Sequence, residues 1–462
     1  MKKIDLGGAR NIHFIGIGGS SMSGLAEVLQ RNGYTVTGSD SDATKPHITG
    51  HLRSIGIPVA IPNAAENIAP DTDLVVYTAA VKQDNPEYQA AMQKGKPLME
   101  RAELLGQMLK GFGYPVVVAG THGKTSTTSL MAEILLDAGL DPTISLGAQI
   151  VRTGANFRTG QSQYFLLEGC EYNNSYHHWH PQVGIILNID ADHLDYFKTF
   201  ENVKKSFRKF AENIPEDGTL VIQHGTPGFS QVTDGLLCEI VTFGENKECD
   251  FYPAKITYDS FGCPGFDIMS GKQKLAHVQL PMPGKYNMLN ALAAFAAGYE
   301  LGIPEDVMAN TLANAKGAKR RFEIKGNLPN GALVIDDYAH HPTEIASCLS
   351  AVRSAAQGKI YCLFQPHTYT RTRNHLEDFA KAFANADEII LLPIYAAREP
   401  FDPTISSMHL LEGIKANGGN VIHMDDFGSA AGYLEQKLMP QDMLITMGAG
   451  DVYFVGERLL KG

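Results

Sequence analysis

The stretch GTHGKTSTT, residues 120–128, restricts the fold of this chain more than any other segment. It follows the apolar run VVVA and precedes the helical pattern SLMAEILL. A buried strand, a glycine-rich turn and a helix in this order predict a parallel α/β unit. The segment ends like a nucleotide-binding P-loop, but Val118 stands where the standard motif has its first glycine. We therefore expect a phosphate-binding loop of shorter form.

The residues of this loop suit an anion. Gly120 and Gly123 allow backbone N–H groups to converge on a phosphate, and the dipole of the following helix adds attraction. Lys124 can reach the β- and γ-phosphates, and the Thr125 hydroxyl is a natural Mg²⁺ ligand. The alternative is a capped helix start with an incidental lysine. Four consecutive hydroxyl residues, 125–128, favour the phosphate site.

Two polar residues at predicted strand ends extend this site. Glu168 ends the strand YFLLE, and His193 follows the strand IILNID. Because the carboxyl ends of parallel strands meet at the crevice where ligands bind, we expect both residues near Lys124 and Thr125. A carboxylate, an imidazole and a hydroxyl form a reasonable Mg²⁺ shell around ATP phosphates. Taken alone, either residue has a structural role more often than a metal-binding one.

The order of strand and helix patterns predicts three consecutive α/β domains. Residues 1–110 have the βαβ rhythm of a Rossmann-like parallel sheet, residues 111–322 form a P-loop-type central ATPase, and residues 323–462 form a second Rossmann-like unit. The central segment contains a more β-like patch at 218–280. No internal repeat or low-complexity linker interrupts the chain.

Composition excludes several function classes. The 39 basic and 50 acidic residues give a net charge of −11, which argues against a nucleic-acid or anionic-membrane surface. Apolar runs stay far below the ~18–20 residues that span a bilayer, and the N-terminus lacks a secretory pattern. The six cysteines are scattered without a CxxC pair, which predicts a reducing, cytoplasmic location. A monomer and a homodimer are equally compatible with the sequence.

A second glycine-rich loop, GIGGSS, lies near the N-terminus. It supplies Gly16 and Gly18, but Ser21 stands where the dinucleotide-binding fingerprint has its third glycine. Asp40 follows 22 residues after Gly18 at the end of a predicted strand, where a carboxylate can bind a ribose hydroxyl. These residues alone permit NAD, so an NAD-dependent dehydrogenase stays open as an alternative. A difference spectrum on adding NADH distinguishes it.

The motifs, taken in order, resemble the Mur ligase family. The resemblance runs nearly the whole chain through GTHGKT, Glu168, NIDADHLDYF, GKYNMLNALAA, KRRFE, DDYAHHPTE, QPHTYTRT, YAAREP and GAGD. It implies an ATP-dependent ligase that forms an amide between a UDP-muramyl carboxylate and an amino acid through an acyl phosphate. ATP and Mg²⁺ are the implied cofactors.

The resemblance also implies roles for individual residues. It places catalytic roles at Lys124, His193, His341 and Arg371. It assigns ATP binding to Gly120, Thr121, His122, Gly123, Lys124, Thr125, Ser126, Asn287, Asn290, Arg321 and Asp337. It assigns Mg²⁺ to Thr125, Glu168 and His193. It assigns substrate binding to Gly18, Gly19, Ser39, Asp40 and His367.

Within the family, DDYAHHPTE and GIGGSSMSGLAE are most similar to the branch that attaches L-alanine to UDP-N-acetylmuramate. The rival within the family is the recycling ligase that attaches an intact tripeptide to the same nucleotide sugar. Three positions depart from the alanine-adding pattern: Tyr286 replaces a histidine, Thr368 replaces an arginine near the amino-acid pocket, and Cys170 replaces an acidic residue. The histidines of YHHWH, residues 176–180, are interpreted as a loop or surface feature because no carboxylate or cysteine supports a zinc site.

Overall fold

The computed structural model describes residues 4–41, 46–397 and 399–461. These residues form four β-sheets covered by helices. The chain divides into two compact units. The first unit contains Met1–Tyr252 and Leu292–Thr311, and the second contains Pro253–Ala291 and Leu312–Gly462.

The first sheet is parallel and uses the N-terminal residues. Its strands are β1 (Asn11–Ile15), β2 (Thr35–Ser39), β3 (Val59–Ala60), β4 (Leu74–Tyr77) and β5 (Leu98–Glu100), in the order β3-β2-β1-β4-β5. Its helices are α1 (Ser20–Arg31), α2 (Pro46–Ser54), α3 (Pro86–Gln93) and α4 (Arg101–Leu109), with a 3₁₀ turn at Ala65–Asn67. Because Ile15 pairs with both Ser39 and Tyr77, the carboxyl ends of β1, β2 and β4 lie side by side.

The second sheet of this unit has seven strands. They are β6 (Tyr114–Ala119), β7 (Thr143–Ile150), β8 (Ala155–Arg158), β9 (Tyr164–Glu168), β10 (Val183–Ile186), β11 (Thr219–Gln223) and β12 (Glu239–Phe243). The helices are α5 (Lys124–Asp137), α6 (Leu194–Phe197), α7 (Phe200–Glu212) and α8 (Phe229–Thr233), with a 3₁₀ segment at Tyr172–His178. The order is β12-β11-β10-β6-β9-β7-β8, so β6 lies between β9 and β10. The loop after β6 is therefore flanked by the ends of both neighbours.

One hydrophobic core joins these two sheets. A single buried cluster contains Phe14 and Leu104 from the first sheet layer together with Phe165 and Phe207 from the second. The indole Nε1 of Trp179 donates a hydrogen bond to the carbonyl of Ala102 at 3.0 Å. Burial of apolar area in one continuous cluster makes the two sheets parts of one folded unit.

The second unit contains two sheets. The smaller has β13 (Tyr252–Tyr258), β14 (Pro264–Ser270) and β15 (Gln273–Gln279), and the larger has β16 (Glu323–Asn327), β17 (Leu333–Asp337), β18 (Ile360–Phe364), β19 (Glu388–Leu391), β20 (Val421–His423) and β21 (Met443–Met447). Helices α9 (Lys285–Glu300) and α10 (Glu305–Ala313) divide between the two units, because residues Leu292–Thr311 belong to the first. The remaining helices belong to the second unit and are α11 (Pro342–Ala355), α12 (Tyr369–Asn374), α13 (Leu376–Ala382), α14 (Ser407–Ala416), α15 (Phe427–Lys437) and α16 (Tyr453–Lys461).

The larger sheet runs in the order β16-β17-β21-β18-β19-β20 and is parallel apart from β16. Met447 pairs with Asp337 on one side and with Phe364 on the other. The segments that follow β17, β18 and β21 therefore leave the sheet at one edge, where ligands bind in open α/β sheets.

The predicted α/β class is confirmed, with Rossmann-like sheets at both ends of the chain and a P-loop-type sheet between them. The β-like patch at 218–280 divides between two sheets, since β11 and β12 extend the seven-stranded sheet and β13–β15 form their own. Among the described residues, no helix is both long and apolar enough to cross a membrane. The six cysteines are free thiols.

Candidate active site

The loop between β6 and α5 has the geometry of a phosphate cradle. Gly120 has a φ of 141°, and a Cβ added to it would lie 2.9 Å from the Leu187 Cβ and 3.3 Å from the Asn188 amide nitrogen. Only glycine fits this close approach to the segment that follows β10. Helix α5 then begins at Lys124, so the amide groups of its first turn face the loop.

Neighbouring side chains hold the loop in place. The His122 amide donates to Asn188 Oδ1 at 2.8 Å, and Asn188 Nδ2 donates to the His122 carbonyl at 3.0 Å. The Asp190 amide donates to Thr121 Oγ1 at 2.9 Å. His122 Nε2 lies 3.2 Å from Asp190 Oδ2. Sequence reasoning missed Asn188 and Asp190, although both stand in NIDADHLDYF.

The Lys124 side chain lies inside this cradle. Its Nζ donates to the carbonyls of Gly120 at 2.6 Å and Thr121 at 2.9 Å. It also lies 3.0 Å and 2.9 Å from the two carboxylate oxygens of the buried Glu171. Burial alone would lower the pKa of Lys124, but the neighbouring acidic groups, Glu171 foremost, together outweigh burial and raise it. The lysine is therefore a cation with a built-in counter-charge, and Glu171 is a site residue that sequence reasoning missed.

The predicted metal-binding groups lie next to the lysine. Thr125 Oγ1 donates to Glu168 Oε1 at 2.8 Å, and the Gly147 amide donates to Glu168 Oε2 at 2.7 Å. His193 caps helix α6, and its Nε2 lies 3.8 Å from Glu171 Oε1. The structure thus brings Lys124 and Thr125 together with Glu168, and it places His193 beside the carboxylate that pairs with Lys124. Ser126, in the first turn of α5, accepts a bond from Ser129 through its carbonyl.

In the N-terminal GIGGSS region, backbone and hydroxyl groups donate hydrogen bonds to carboxylates. The Gly18 amide donates to Asp40 Oδ2 at 2.8 Å, and Gly19 precedes helix α1 as its N-cap. The Ser39 hydroxyl is fully buried and donates to the Glu87 carboxylate. Ser39 therefore lies at the predicted place, but its hydroxyl is directed into the protein.

In the second unit, the predicted ATP contacts lie on α9 and near the start of the larger sheet. Asn287 and Asn290 are buried, and Asn287 Nδ2 donates to the Pro283 carbonyl at 2.8 Å. The Arg321 guanidinium lies over the Tyr338 ring, 5.0 Å from its centroid. Asp337 accepts the amides of Phe322 and Ala339, both at 2.7 Å. Burial raises the pKa of Asp337 to about 6.

The predicted amino-acid-binding residues lie at the carboxyl edge of the larger sheet. Arg371 Nη1 donates to His367 Nδ1 at 3.2 Å, and the His340 ring lies 5.7 Å from the His367 ring. Burial lowers the pKa of His340 to about 3 and that of His367 to about 4, so both imidazoles are neutral at pH 7. His341 is buried, caps helix α11 and packs its ring 4.8 Å from the His375 ring.

Thr368 has a defined structural role beside this cluster. Its φ of 65° is rare for a β-branched residue and marks local strain. Its amide donates to the Tyr395 carbonyl at 2.8 Å, and its hydroxyl accepts the Arg371 amide at 3.4 Å. Thr368 is therefore the N-cap of the short helix α12, which carries Arg371.

Two histidines of YHHWH, His177 and His180, make structural contacts. His177 Nε2 lies 2.9 Å from the Ser206 carbonyl, and His180 Nδ1 lies 3.1 Å from the Asn213 carbonyl. Both therefore fasten the 3₁₀ segment and the residues after it to α7. This agrees with the interpretation of YHHWH as a loop feature.

Comparison with known families decides where this chain belongs. Models for the Mur ligase family, catalytic domain, for the Mur ligase middle domain and for the Mur ligase, glutamate ligase domain match residues 11–113, 118–298 and 320–450. The chain belongs to the Mur ligase family. Mur ligase domains thus account for nearly its full length, and this family is ATP-dependent.

Individual Mur ligases match over the whole chain. The UDP-N-acetylmuramate–L-alanine ligase of Caldanaerobacter subterraneus is 45% identical over 459 residues, which are 99% of each protein. The enzyme of that name from Clostridium tetani is 45% identical over 98% of each. Among solved structures, the UDP-N-acetylmuramate–alanine ligase of Thermotoga maritima has a TM-score of 0.79 at 28% identity, covering 98% of both chains. A murein peptide ligase from Psychrobacter arcticus, with a TM-score of 0.70 at 24% identity and 98% coverage of both, shares the fold.

Proposed function

We propose that this protein is an ATP-dependent, ADP-forming ligase that joins L-alanine to the carboxylate of UDP-N-acetylmuramate. The reaction makes a peptidoglycan precursor. The observation that carries the proposal is the phosphate cradle with Lys124, Thr125 and Glu168 in a chain that is 45% identical, end to end, to ligases of this name.

The residues of the cradle fit ATP and Mg²⁺. Gly120 leaves no room for a side chain, so backbone amides can approach a phosphate closely. A threonine hydroxyl and a carboxylate 2.8 Å apart are oxygen donors of the type that Mg²⁺ prefers. When bound, ATP supplies the phosphoryl group that activates the substrate carboxylate as an acyl phosphate, and Mg²⁺ reduces the repulsion between the two anions.

Each predicted site residue of the first unit has a proposed role. Lys124 contacts the γ-phosphate once a ligand phosphate replaces its carbonyl and Glu171 partners, and residues 120–126 bind the triphosphate through their amides and hydroxyls. Thr125, Glu168 and His193 hold Mg²⁺. Around the first sheet, Gly18, Gly19, Ser39 and Asp40 form the binding region for the UDP moiety.

The second unit supplies the remaining proposed contacts. Asn287 and Asn290 bind the adenine, and Arg321 and Asp337 bind other parts of the nucleotide. His341, His367 and Arg371 orient the amino-acid carboxylate and the acyl phosphate. Because the His340 and His367 imidazoles are neutral at pH 7, the Arg371 guanidinium supplies a fixed positive charge beside them.

We also propose the domain division 1–110, 111–322 and 323–462, for the UDP-sugar, ATP and amino acid in turn. The separate sheets β1–β5, β6–β12 and β16–β21 support it. A cytoplasmic location follows from the use of ATP and a nucleotide sugar.

The decisive experiment is phosphate release with ATP, Mg²⁺ and UDP-N-acetylmuramate against L-alanine, glycine, L-serine and the free tripeptide. We expect L-alanine to give the highest kcat/KM. One methyl group is worth ~1–3 kcal/mol, so glycine should be worse by roughly 10–200-fold. A higher kcat/KM for the tripeptide would identify the recycling ligase instead. Phosphate release that does not depend on the nucleotide sugar would contradict the whole proposal.

Neither alternative is favoured. The peptide ligase from Psychrobacter arcticus is 24% identical, whereas the alanine ligases reach 45%. A dehydrogenase does not account for the match of three Mur ligase domains.

A further inference from the structure

A buried carboxylate lies beneath the carboxyl edge of the first sheet. Glu87, in the first turn of α3, is fully buried, and the His13 and Ser39 side chains around it are also buried. Its Oε2 accepts the Ser39 hydroxyl and lies 3.5 Å from His13 Nε2. Glu87 therefore connects α3 to both β1 and β2.

The same carboxylate holds the segment that follows β3. Glu87 Oε1 accepts the Asn67 side-chain amide at 2.6 Å and the Ala64 backbone amide at 3.2 Å. Asn63 Nδ2 lies between Ser39 Oγ at 2.8 Å and Glu87 Oε2 at 3.2 Å. Donors from β2 and from the 63–67 segment thus converge on one carboxylate, and His13 of β1 lies beside it.

The charge state of Glu87 is consistent with this arrangement. Burial would raise its pKa, but the adjacent His13 imidazole and the hydrogen bonds from Ser39 and Asn67 together outweigh burial and lower it. A buried ion is an expensive way to stabilise a fold, because apolar residues of similar volume often do as well or better. The network is therefore better explained by positioning than by stability.

Ser39 links this hydrogen-bond network to the glycine-rich loop. Its carbonyl accepts the amides of Gly16 and Ile17, both at 2.9 Å. The next residue, Asp40, accepts the Gly18 amide. The loop is thus fixed through two adjacent residues, and the first of them is fixed by Glu87.

We propose that Glu87 is a positioning residue for the nucleotide sugar: by holding Ser39 and the 63–67 segment, it sets the shape of the GIGGSS loop and of the crevice beside it. The inference rests on the proposed function in taking UDP-N-acetylmuramate as the ligand of this edge. Glu87 makes no contact with ligand in this role and acts through Ser39, Asn63 and Asn67.

The test compares Glu87→Gln with Asp73→Asn in the full-length protein. Asp73 is the matched control because its carboxylate accepts the amides of Arg10 and Asn11, at 2.8 and 2.9 Å, at the opposite end of β1. Titration calorimetry with UDP-N-acetylmuramate, steady-state kinetics and thermal unfolding are measured for both variants and the wild type.

For Glu87→Gln we expect Kd and KM for the nucleotide sugar to rise roughly tenfold, because a neutral amide cannot accept all the converging donors. The KM for ATP and kcat should stay within about twofold of wild type, as should every parameter of Asp73→Asn. A stability loss in Glu87→Gln with an unchanged nucleotide-sugar Kd would overturn the inference. Failure of the wild type to bind the nucleotide sugar would contradict the proposed function instead.

Two further variants cover the case in which Glu87→Gln does not fold. Asn67→Ala removes one donor from a half-buried position and should raise the same Kd by a smaller factor. Ser39→Ala combined with Asn67→Ala should be less than additive in that Kd, because both act on one carboxylate. If the two substitutions change the free energy of nucleotide-sugar binding additively, Ser39 and Asn67 do not act through Glu87, and the inference is contradicted.

Discussion

Two glycine-rich loops of the first unit share a backbone design and differ in their side chains. GIGGSS follows β1 and begins at Gly16, with a φ of 81°, and GTHGKT follows β6 and begins at Gly120, with a φ of 141°. Each leads directly into a helix, α1 or α5. The partner of the first loop is the Asp40 carboxylate, whereas the second contains the Lys124 ammonium paired with Glu171.

We infer from this difference that the first loop serves mainly to bind the nucleotide sugar and the second takes part in the reaction. A glycine with a positive φ followed by a helix N-terminus creates a place for an anion in both loops. Around the first loop the carboxylates accept hydrogen bonds, which suits recognition of hydroxyl and amide donors. Around the second lie the cation and the hydroxyl–carboxylate pair for which we propose a role in stabilising charge that develops during phosphoryl transfer. Variants in the second loop should therefore lower turnover, and variants in the first should weaken binding.

Lys124→Ala should produce the largest effect. Loss of one positioned charge at the transition state costs about 2.7–4 kcal/mol, or roughly 10²–10³ in kcat. Binding of UDP-N-acetylmuramate, measured by calorimetry, should be unchanged. Lys110→Ala is the control, since that exposed lysine contacts only Gln107 among the hydrogen-bond partners that the structure describes. Turnover above half of wild type at saturating ATP would contradict the assignment of the second loop as the ATP-binding loop.

Glu168→Gln should come next. It removes the carboxylate that pairs with the Thr125 hydroxyl, so the Mg²⁺ concentration at half-maximal activity should rise at least roughly tenfold. His193→Ala should shift the Mg²⁺ titration in the same direction. Glu212→Gln, on the surface of α7, serves as the charge-matched control. Titration curves that overlay the wild type for both site variants would place the metal elsewhere.

Asp40→Ala should affect binding and not turnover. Without its acceptor the Gly18 amide loses its bond at 2.8 Å, and we expect the KM for UDP-N-acetylmuramate to rise roughly tenfold. The KM for ATP should not change. Asp71→Ala, an exposed residue after the 3₁₀ turn, is the control. A fall in kcat without a change in KM would show that the first loop also takes part in chemistry.

Much of this contrast could be predicted from the sequence. Local patterns identified the strand, turn and helix at both loops, and Lys124 and Thr125 followed from the spacing of the motif. Glu168 and His193 followed because strand ends converge at one edge of a parallel sheet. These inferences need only local patterns and a general rule of topology.

The acidic side chains that hold the residues of each loop in place could not be predicted from the sequence. Glu171 meets Lys124 across 47 residues, and Glu87 meets Ser39 across 48. Such contacts depend on strand order, which hydrophobic periodicity does not determine. Thr368 illustrates the same limit. The resemblance to the alanine-adding ligases implied only that Thr368 replaces an arginine, whereas the structure shows a strained cap for the helix of Arg371.

The smallest predicted effect tests whether the first loop works without a strong cation of its own. Arg101 Nη1 donates to Ser21 Oγ at 3.3 Å, so a half-buried guanidinium borders the loop. Because charge contacts at partly exposed sites are worth about 0–1 kcal/mol, Arg101→Ala should raise the KM for UDP-N-acetylmuramate by roughly fivefold at most. Arg31→Ala, at the far end of α1 and paired with Glu27, is the control. A loss of more than about a hundredfold would mean that both loops depend on a cation, and the distinction drawn between them would fail.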